Sequence, residues 1–125
     1  MGKGRQATKR YRGTQADQSQ IIRYVRAEFR RFNQMTSFNE MADYLLRLGC
    51  RGARNSRNCC PLAKRFTRVA GMTCRIGPSP IWDDPEWYLT VGDLGSIPLP
   101  YKLKTLARRF DGGFYDELQW GADVG

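Results

Sequence analysis

The chain has 125 residues, 41% of them hydrophobic and 12% aromatic, which suits one domain with one core and excludes both a second globular unit and an intrinsically disordered polymer. Its formal net charge is +9 with no His, so the commonest general base and metal ligand is missing while polyanions are attracted over a Debye length. The longest apolar runs span a few residues, against the roughly 20 needed to cross a bilayer, so neither a signal peptide nor a membrane anchor is expected.

The charge is polarised along the chain. Residues 1–82 hold 17 Lys plus Arg against Asp17, Glu28, Glu40 and Asp43, a balance of +13; residues 83–125 hold Lys102, Lys104, Arg108 and Arg109 against eight acids, a balance of −4. The first thirteen residues contain Lys3, Arg5, Lys9, Arg10 and Arg12, no acid and little to bury. This predicts a flexible basic arm over 1–16 that orders on a partner, ahead of a single globular domain over 17–125. A solubilising tail is the plain alternative for the arm.

From Asp17 onward, Ile21, Ile22, Val25, Phe29 and Phe32 recur at helical spacing with Arg23, Arg26 and Arg30 on the opposite side, predicting a first helix over roughly 18–32. Ser37-Phe38-Asn39-Glu40 fits a capping box, and Phe38, Met41, Ala42, Leu45 and Leu48 form the buried stripe of a second helix that Gly49 ends. Cys50 to Cys60 reads as a loop of eleven residues, long for a connection between helices. Pro61 then opens a third helix, with Leu62, Ala63, Phe66, Val69 and Ala70 inward, Lys64, Arg65 and Arg68 outward, and Gly71 as its stop.

Met72–Ile76 and Trp87–Val91 are short β-like runs around the loop GPSPIWDDPE, predicting an antiparallel hairpin. Beyond the Gly92, Gly95, Pro98 and Pro100 punctuation, Leu103, Leu106, Ala107 and Phe110 mark a fourth helix broken at Gly112-Gly113, and Phe114–Leu118 reads as a last turn docking back on the core. The order helix, helix, helix, hairpin, helix is that of a winged-helix-like α+β domain with a C-terminal addition. It departs from a standard helix-turn-helix in one respect: the connection before the third helix is eleven residues rather than three or four.

No enzyme signature is present. Phosphate-loop and His-based motifs are missing, and a Cys nucleophile would lack an evident activator. Cys50, Cys59, Cys60 and Cys74 are separated by eight, zero and thirteen residues, unlike the paired knuckles of zinc sites, so no metal and no cofactor is expected. Reduced thiols in a cytoplasmic protein are the simpler expectation, with Cys60 and Cys74 as small buried hydrophobes and Cys59 more accessible.

The strongest functional signal is the acid-free stretch between Asp43 and Asp83, which carries Arg47, Arg51, Arg54, Arg57, Lys64, Arg65, Arg68 and Arg75. On a nucleic-acid reading, Arg51, Arg54 and Arg57 reach phosphates or base edges from the loop, Lys64, Arg65 and Arg68 line a groove, and the arm follows the backbone. On the plainer reading these are solvated helix faces. The acidic tip Trp82-Asp83-Asp84-Pro85-Glu86-Trp87 would be repelled by phosphate; either Trp82 and Trp87 form a protein-binding knob or one of them covers the core.

Gly49-x-x-Gly52, Cys60-Pro61-Leu62-Ala63, Ile97-Pro98-Leu99-Pro100 and Phe110-Asp111-x-Gly113-x-Tyr115-x-x-Leu118 together resemble a group of small uncharacterised proteins of actinobacteria and their phages, with a C-P-[LI]-A helix start and an F-D-x-G-x-Y-P-x-L ending. The resemblance covers about residues 41–118 and departs at Asp116, where that group usually has Pro. It implies features of fold and brings no known activity.

The expectation is therefore a small non-enzymatic nucleic-acid-binding protein, accessory or regulatory, with DNA favoured over RNA. A different class, a protein-interaction module or inhibitor that sets a cationic face on an acidic partner, accounts for the same charges. A basic structural component of a ribonucleoprotein or virion rests on the arm alone.

Overall fold

Val25, Phe29 and Phe32 fall on one side of helix α1 (Gln15–Asn33) and are buried, while Arg23, Arg26 and Arg30 lie on the solvent side. The computed structural model describes residues 15–78 and 86–120, and α1 covers the helix predicted over 18–32 with one more residue at its end and three more at its start, so that residues 15 and 16 of the expected arm are helical. Residues 1–14 of the expected arm lie outside the described residues.

Helix α2 (Phe38–Arg47) begins where the capping box places it. Ser37 Oγ accepts from Glu40 N at 3.0 Å, but the Glu40 carboxylate reaches one residue further back than the motif implies. It accepts from Thr36 N at 2.9 Å and from Thr36 Oγ1 at 3.1 Å, so two groups of Thr36 hold it instead of the Ser37 amide. Helix α3 (Pro61–Ala70) starts at Pro61, and the acceptor at its cap is a thiol: Cys60 Sγ takes Ala63 N at 3.4 Å. Gly49 and Gly71, with φ of 72° and 74°, supply the left-handed residues that follow α2 and α3.

Strands β1 (Cys74–Pro78), β2 (Trp87–Val91) and β3 (Gly95–Pro98) form an antiparallel sheet in that order. The expected hairpin pairs Cys74 with Val91 and Pro78 with Trp87, β1 starting two residues later than its sequence pattern suggests. β3 was not expected, because Gly95 and Pro98 read as breakers. It forms because Ile97 opposite Leu89 faces the core, while the hydroxyls of Thr90 and Ser96 meet at 2.9 Å on the outer side. The inner sheet face, Cys74, Ile76, Leu89, Val91 and Ile97, packs toward α3. The described residues thus form an α+β fold: a fourth helix, α4 (Tyr101–Asp111), follows the sheet and buries Leu103, Leu106, Ala107 and Phe110.

Helix α3 lies at the centre. The Phe66 ring, fully buried, meets Phe29 edge-on at 5.2 Å and Phe32 at 6.2 Å, joining α3 to α1. The eleven-residue connection before it is folded in: Cys50 and Gly52 are buried and Ala53 N donates to Cys59 O at 2.8 Å. Past α4 the chain turns through Gly113 and through Tyr115 at φ 62°, then forms a 3-10 turn over Asp116–Leu118 that buries Leu118. Gly52 holds that turn from both sides, its amide donating to Leu118 O at 2.9 Å and its carbonyl accepting from Trp120 N at 3.0 Å. The last turn therefore docks as the sequence pattern predicts, against the loop before α3.

A Cβ on Gly52 would lie 1.8 Å from the carbonyl oxygen of Cys59, a backbone atom with no room to retreat. Gly52→Ala is accordingly expected to cost more than about 3 kcal/mol, above the usual range for single substitutions, as measured by denaturant unfolding; a loss below about 1 kcal/mol would show that this junction relaxes freely.

Candidate nucleic-acid interface

The cations that the sequence marks most strongly turn out to hold the fold together. Glu28 is 4% exposed, the lone acid on the apolar side of α1, and its position at helical spacing between Val25 and Phe32 was the one signal of its burial. Arg65 Nε on α3 donates to it at 2.8 Å, Tyr44 Oη on α2 at 2.7 Å, and Arg31 Nε at 3.3 Å. Burial alone would push the Glu28 carboxyl up; the Arg65 and Tyr44 hydrogen bonds, with the charges of Arg65 and Arg31, hold it below its ordinary value. Burial, with the hydrogen bond to Glu28, pushes the Tyr44 hydroxyl up.

The other two cations of α3 are also drawn to neighbours. Arg68 donates to the carbonyls of Leu48 and Gly49, closing the end of α2, and Lys64 Nζ sits 4.2 Å from the centroid of the Trp120 ring. Of the loop residues, Arg54 is the most enclosed. Its guanidinium donates to Phe110 O at 2.7 Å, to Asp116 Oδ1 at 2.8 Å, to Phe114 O at 3.3 Å and to Gln119 Oε1, clamping the end of α4 and the final turn. Arg57 is exposed but donates to Pro78 O at 2.6 Å, while its own carbonyl accepts from Ile76 N at 2.8 Å. Arg51 is half-buried and has an intramolecular partner. The loop and α3 therefore do not form the open row of cations that the sequence pattern suggested.

The open row is on α1. Arg23, Arg26 and Arg30 are exposed, three and four residues apart on one face, and among the described residues no carboxylate pairs with any of them. Tyr24 is 51% exposed on another flank of the same helix, about 100° or more around the axis from the row. Arg23 and Arg26, with Gln18, Ser19 and Ile22, line a cleft of about 410 Å³ whose other wall is Leu94 in the turn between β2 and β3. The periodicity of α1 by itself puts these arginines opposite the core.

Trp87 is half-buried and packs against the core, and Trp82 lies outside the described residues, as do Lys3, Arg5, Lys9, Arg10 and Arg12. Burial pushes the Cys60 and Cys74 thiols up to about 11 and raises that of Cys50 as well, so all three stay protonated at neutral pH. Among the described residues no group of three His, Cys, Asp or Glu is placed to hold a metal ion, and no helix is long and apolar enough to cross a membrane.

Arg65→Ala would strand the Glu28 carboxylate in the core, and a loss of about 3–5 kcal/mol is expected at neutral pH. The pH dependence has a definite sign. With Arg65 present, the Glu28 pKa is depressed, so its contribution is complete above the unfolded value near 4.5 and is lost as pH falls through the folded value. Without Arg65 its hydrogen bond and charge no longer oppose burial, so the Glu28 pKa rises and protonation relieves part of the penalty; the deficit of the variant should therefore narrow from pH 7 toward pH 4 in parallel denaturant titrations. A deficit independent of pH would show that Glu28 is not its source. Comparison with protein-family models, with curated proteins and with solved structures finds no match to this chain.

Proposed function

We propose that this chain is a non-enzymatic nucleic-acid-binding protein of accessory or regulatory type, with DNA the favoured partner, and that its contact surface is the outer face of α1. The observation that carries the reading is the exposed row Arg23, Arg26 and Arg30, with which no carboxylate of the described residues pairs. A helix turn advances about 5.4 Å, so these guanidinium groups sit within reach of successive phosphates, and each presents a planar fork suited to bidentate phosphate contacts. The sequence immediately before α1 contributes Lys3, Arg5, Lys9, Arg10 and Arg12. On this reading the α3 cations and Arg54 are scaffold. The element order fits a winged-helix-like domain in which α1, not α3, faces the polyanion.

Binding of this kind is dominated by counterion release, with log K falling against log salt at about −0.9 per phosphate neutralised. Three contacts from α1 and up to five from the preceding residues give an expected slope between about −3 and −7. The measurement is fluorescence anisotropy of a labelled duplex at several salt concentrations. The variant carrying Arg23→Glu, Arg26→Glu and Arg30→Glu is expected to bind at least about 100-fold more weakly while its melting temperature stays within a few degrees of the parent, because surface substitutions away from structural contacts are nearly neutral. Absence of binding to duplex, single-stranded DNA and RNA at low salt would sink the proposal. Capture of an acidic protein that persists after nuclease treatment and needs the same three arginines would instead establish the protein-interaction reading.

A further inference from the structure

A second cleft, of about 300 Å³, opens between the loop before α3, the end of the β1–β2 pair and α4. It lies apart from the α1 face, and its lining is mixed in a specific way. Ile76 and Ala107 are apolar, Trp87 is a half-buried aromatic wall, and Arg57, Asn55 and Asp111 supply the polar groups. We propose that this cleft binds a guanine base, displayed by a nucleic-acid strand or carried on a free nucleotide.

The polar groups are held in place by the backbone around them. Asn55 adopts the left-handed conformation, φ 58°, and in that conformation its amide donates to Asp111 Oδ1 at 2.9 Å. Among the described residues this is the one donor to that carboxylate, so its second oxygen retains its acceptor capacity. Arg57 lies flat against Gly77: a Cβ there would come within 3.1 Å of Arg57 Cζ and Nε, so the glycine makes room for the guanidinium. One of its nitrogens is anchored on Pro78 O at 2.6 Å, which orients the fork without using all five of its N–H donors.

Carboxylate, guanidinium and indole together select a ligand. A carboxylate is acceptor-only when ionised and asks for adjacent N–H donors; a guanidinium is donor-only and asks for adjacent acceptors. Guanine is the base that carries both, with N1–H and N2–H₂ on one edge and O6 and N7 on the other. An indole surface suits a planar base by stacking, the usual way an unpaired base is received. The volume is at the lower end for small-ligand sites, enough for one base and too small for a run of chain. Duplex DNA hides the edge that Asp111 would read, so on a strand the site takes an unpaired guanine.

The inference deepens the nucleic-acid reading where the base belongs to a strand, and the test separates the two. The uniformly ¹⁵N-labelled full chain is titrated with dGMP, dAMP, dCMP and TMP, following the three Trp indole N–H signals and the Gly77 amide, with Trp87→Phe identifying the indole. The expected result is that dGMP moves the Trp87 and Gly77 signals with at least tenfold higher affinity than the other three. Arg57→Gln, which removes an exposed fork, and Asp111→Asn should each weaken dGMP at least tenfold; Arg57→Gln keeps the test open if Asp111→Asn fails to fold. The variant with glutamates at 23, 26 and 30 should respond to dGMP as the parent does. If that variant loses duplex binding and keeps dGMP, the two sites are separate as proposed; if the parent binds dGMP but no strand, the base comes from a free nucleotide and only the α1 reading fails. No movement of Trp87, or equal response to all four nucleotides, overturns the guanine site and leaves the α1 proposal to its own measurement.

Discussion

A carboxylate cannot remain charged under three helices unless cations come to it, and Glu28 imposes that condition on the whole helical layer. Its oxygens are reached from α3 by Arg65, from α2 by Tyr44 and from its own helix by Arg31. Because the pair is mostly dehydrated, with side chains 20% and 5% exposed for Arg65 and Glu28, the cost of separating its members far exceeds that of a surface ion pair. The pair also fixes a rotation: with Arg65 turned toward α1, Phe66 enters the core against Phe29 and Phe32. Lys64 and Arg68 then lie over Trp120 and the end of α2.

Arg54 does at the other end of the molecule what Arg65 does in the helical layer. Its fork collects a carbonyl oxygen from the last turn of α4 and a carbonyl and the Asp116 carboxylate from the segment after it, and the Gly52 backbone bonds that segment from the adjacent side. The chain is cationic in its first part and acidic in its last, and part of that asymmetry is neutralised internally. Orphan carbonyls at helix ends carry partial negative charge and also draw cations: Arg68 and Lys102 both finish helices this way, Lys102 donating to Asn33 O at 2.9 Å and Met35 O at 3.3 Å. An excess of positive charge in a sequence thus measures the need for donors in the fold as much as attraction to an external polyanion.

This division of labour decides which cations remain for a partner. Those of α3 and Arg54 are engaged by the chain itself and Arg57 keeps donors beyond its bond to Pro78 O, whereas Arg23, Arg26 and Arg30 are exposed and, among the described residues, paired with no carboxylate. Arg30 and Arg31 also complement the dipole at the α1 C-terminus, so the last turn of that row serves both stability and field. The cleft proposed to take guanine draws on a different resource, the loop conformation at Asn55 and the space left by Gly77.

Helices were the most legible part of the sequence, because periodic apolar positions and the caps Ser37, Pro61, Gly49 and Gly71 act through neighbours within a turn or two. The β1–β2 hairpin was legible for the same reason, its strands being separated by a single loop. β3 was not, since Gly95 and Pro98 oppose a strand locally and only pairing with β2 and burial of Ile97 favour one. The exposed row of α1 followed from helical spacing alone. What the tertiary structure decided was the fate of the acid-free stretch, because Arg54 meets partners 56 to 65 residues away and Arg65 one 37 residues away. Charge is a property of composition, but whether a cation is solvated or committed depends on which carbonyls and carboxylates the fold brings to it, and no local pattern encodes that.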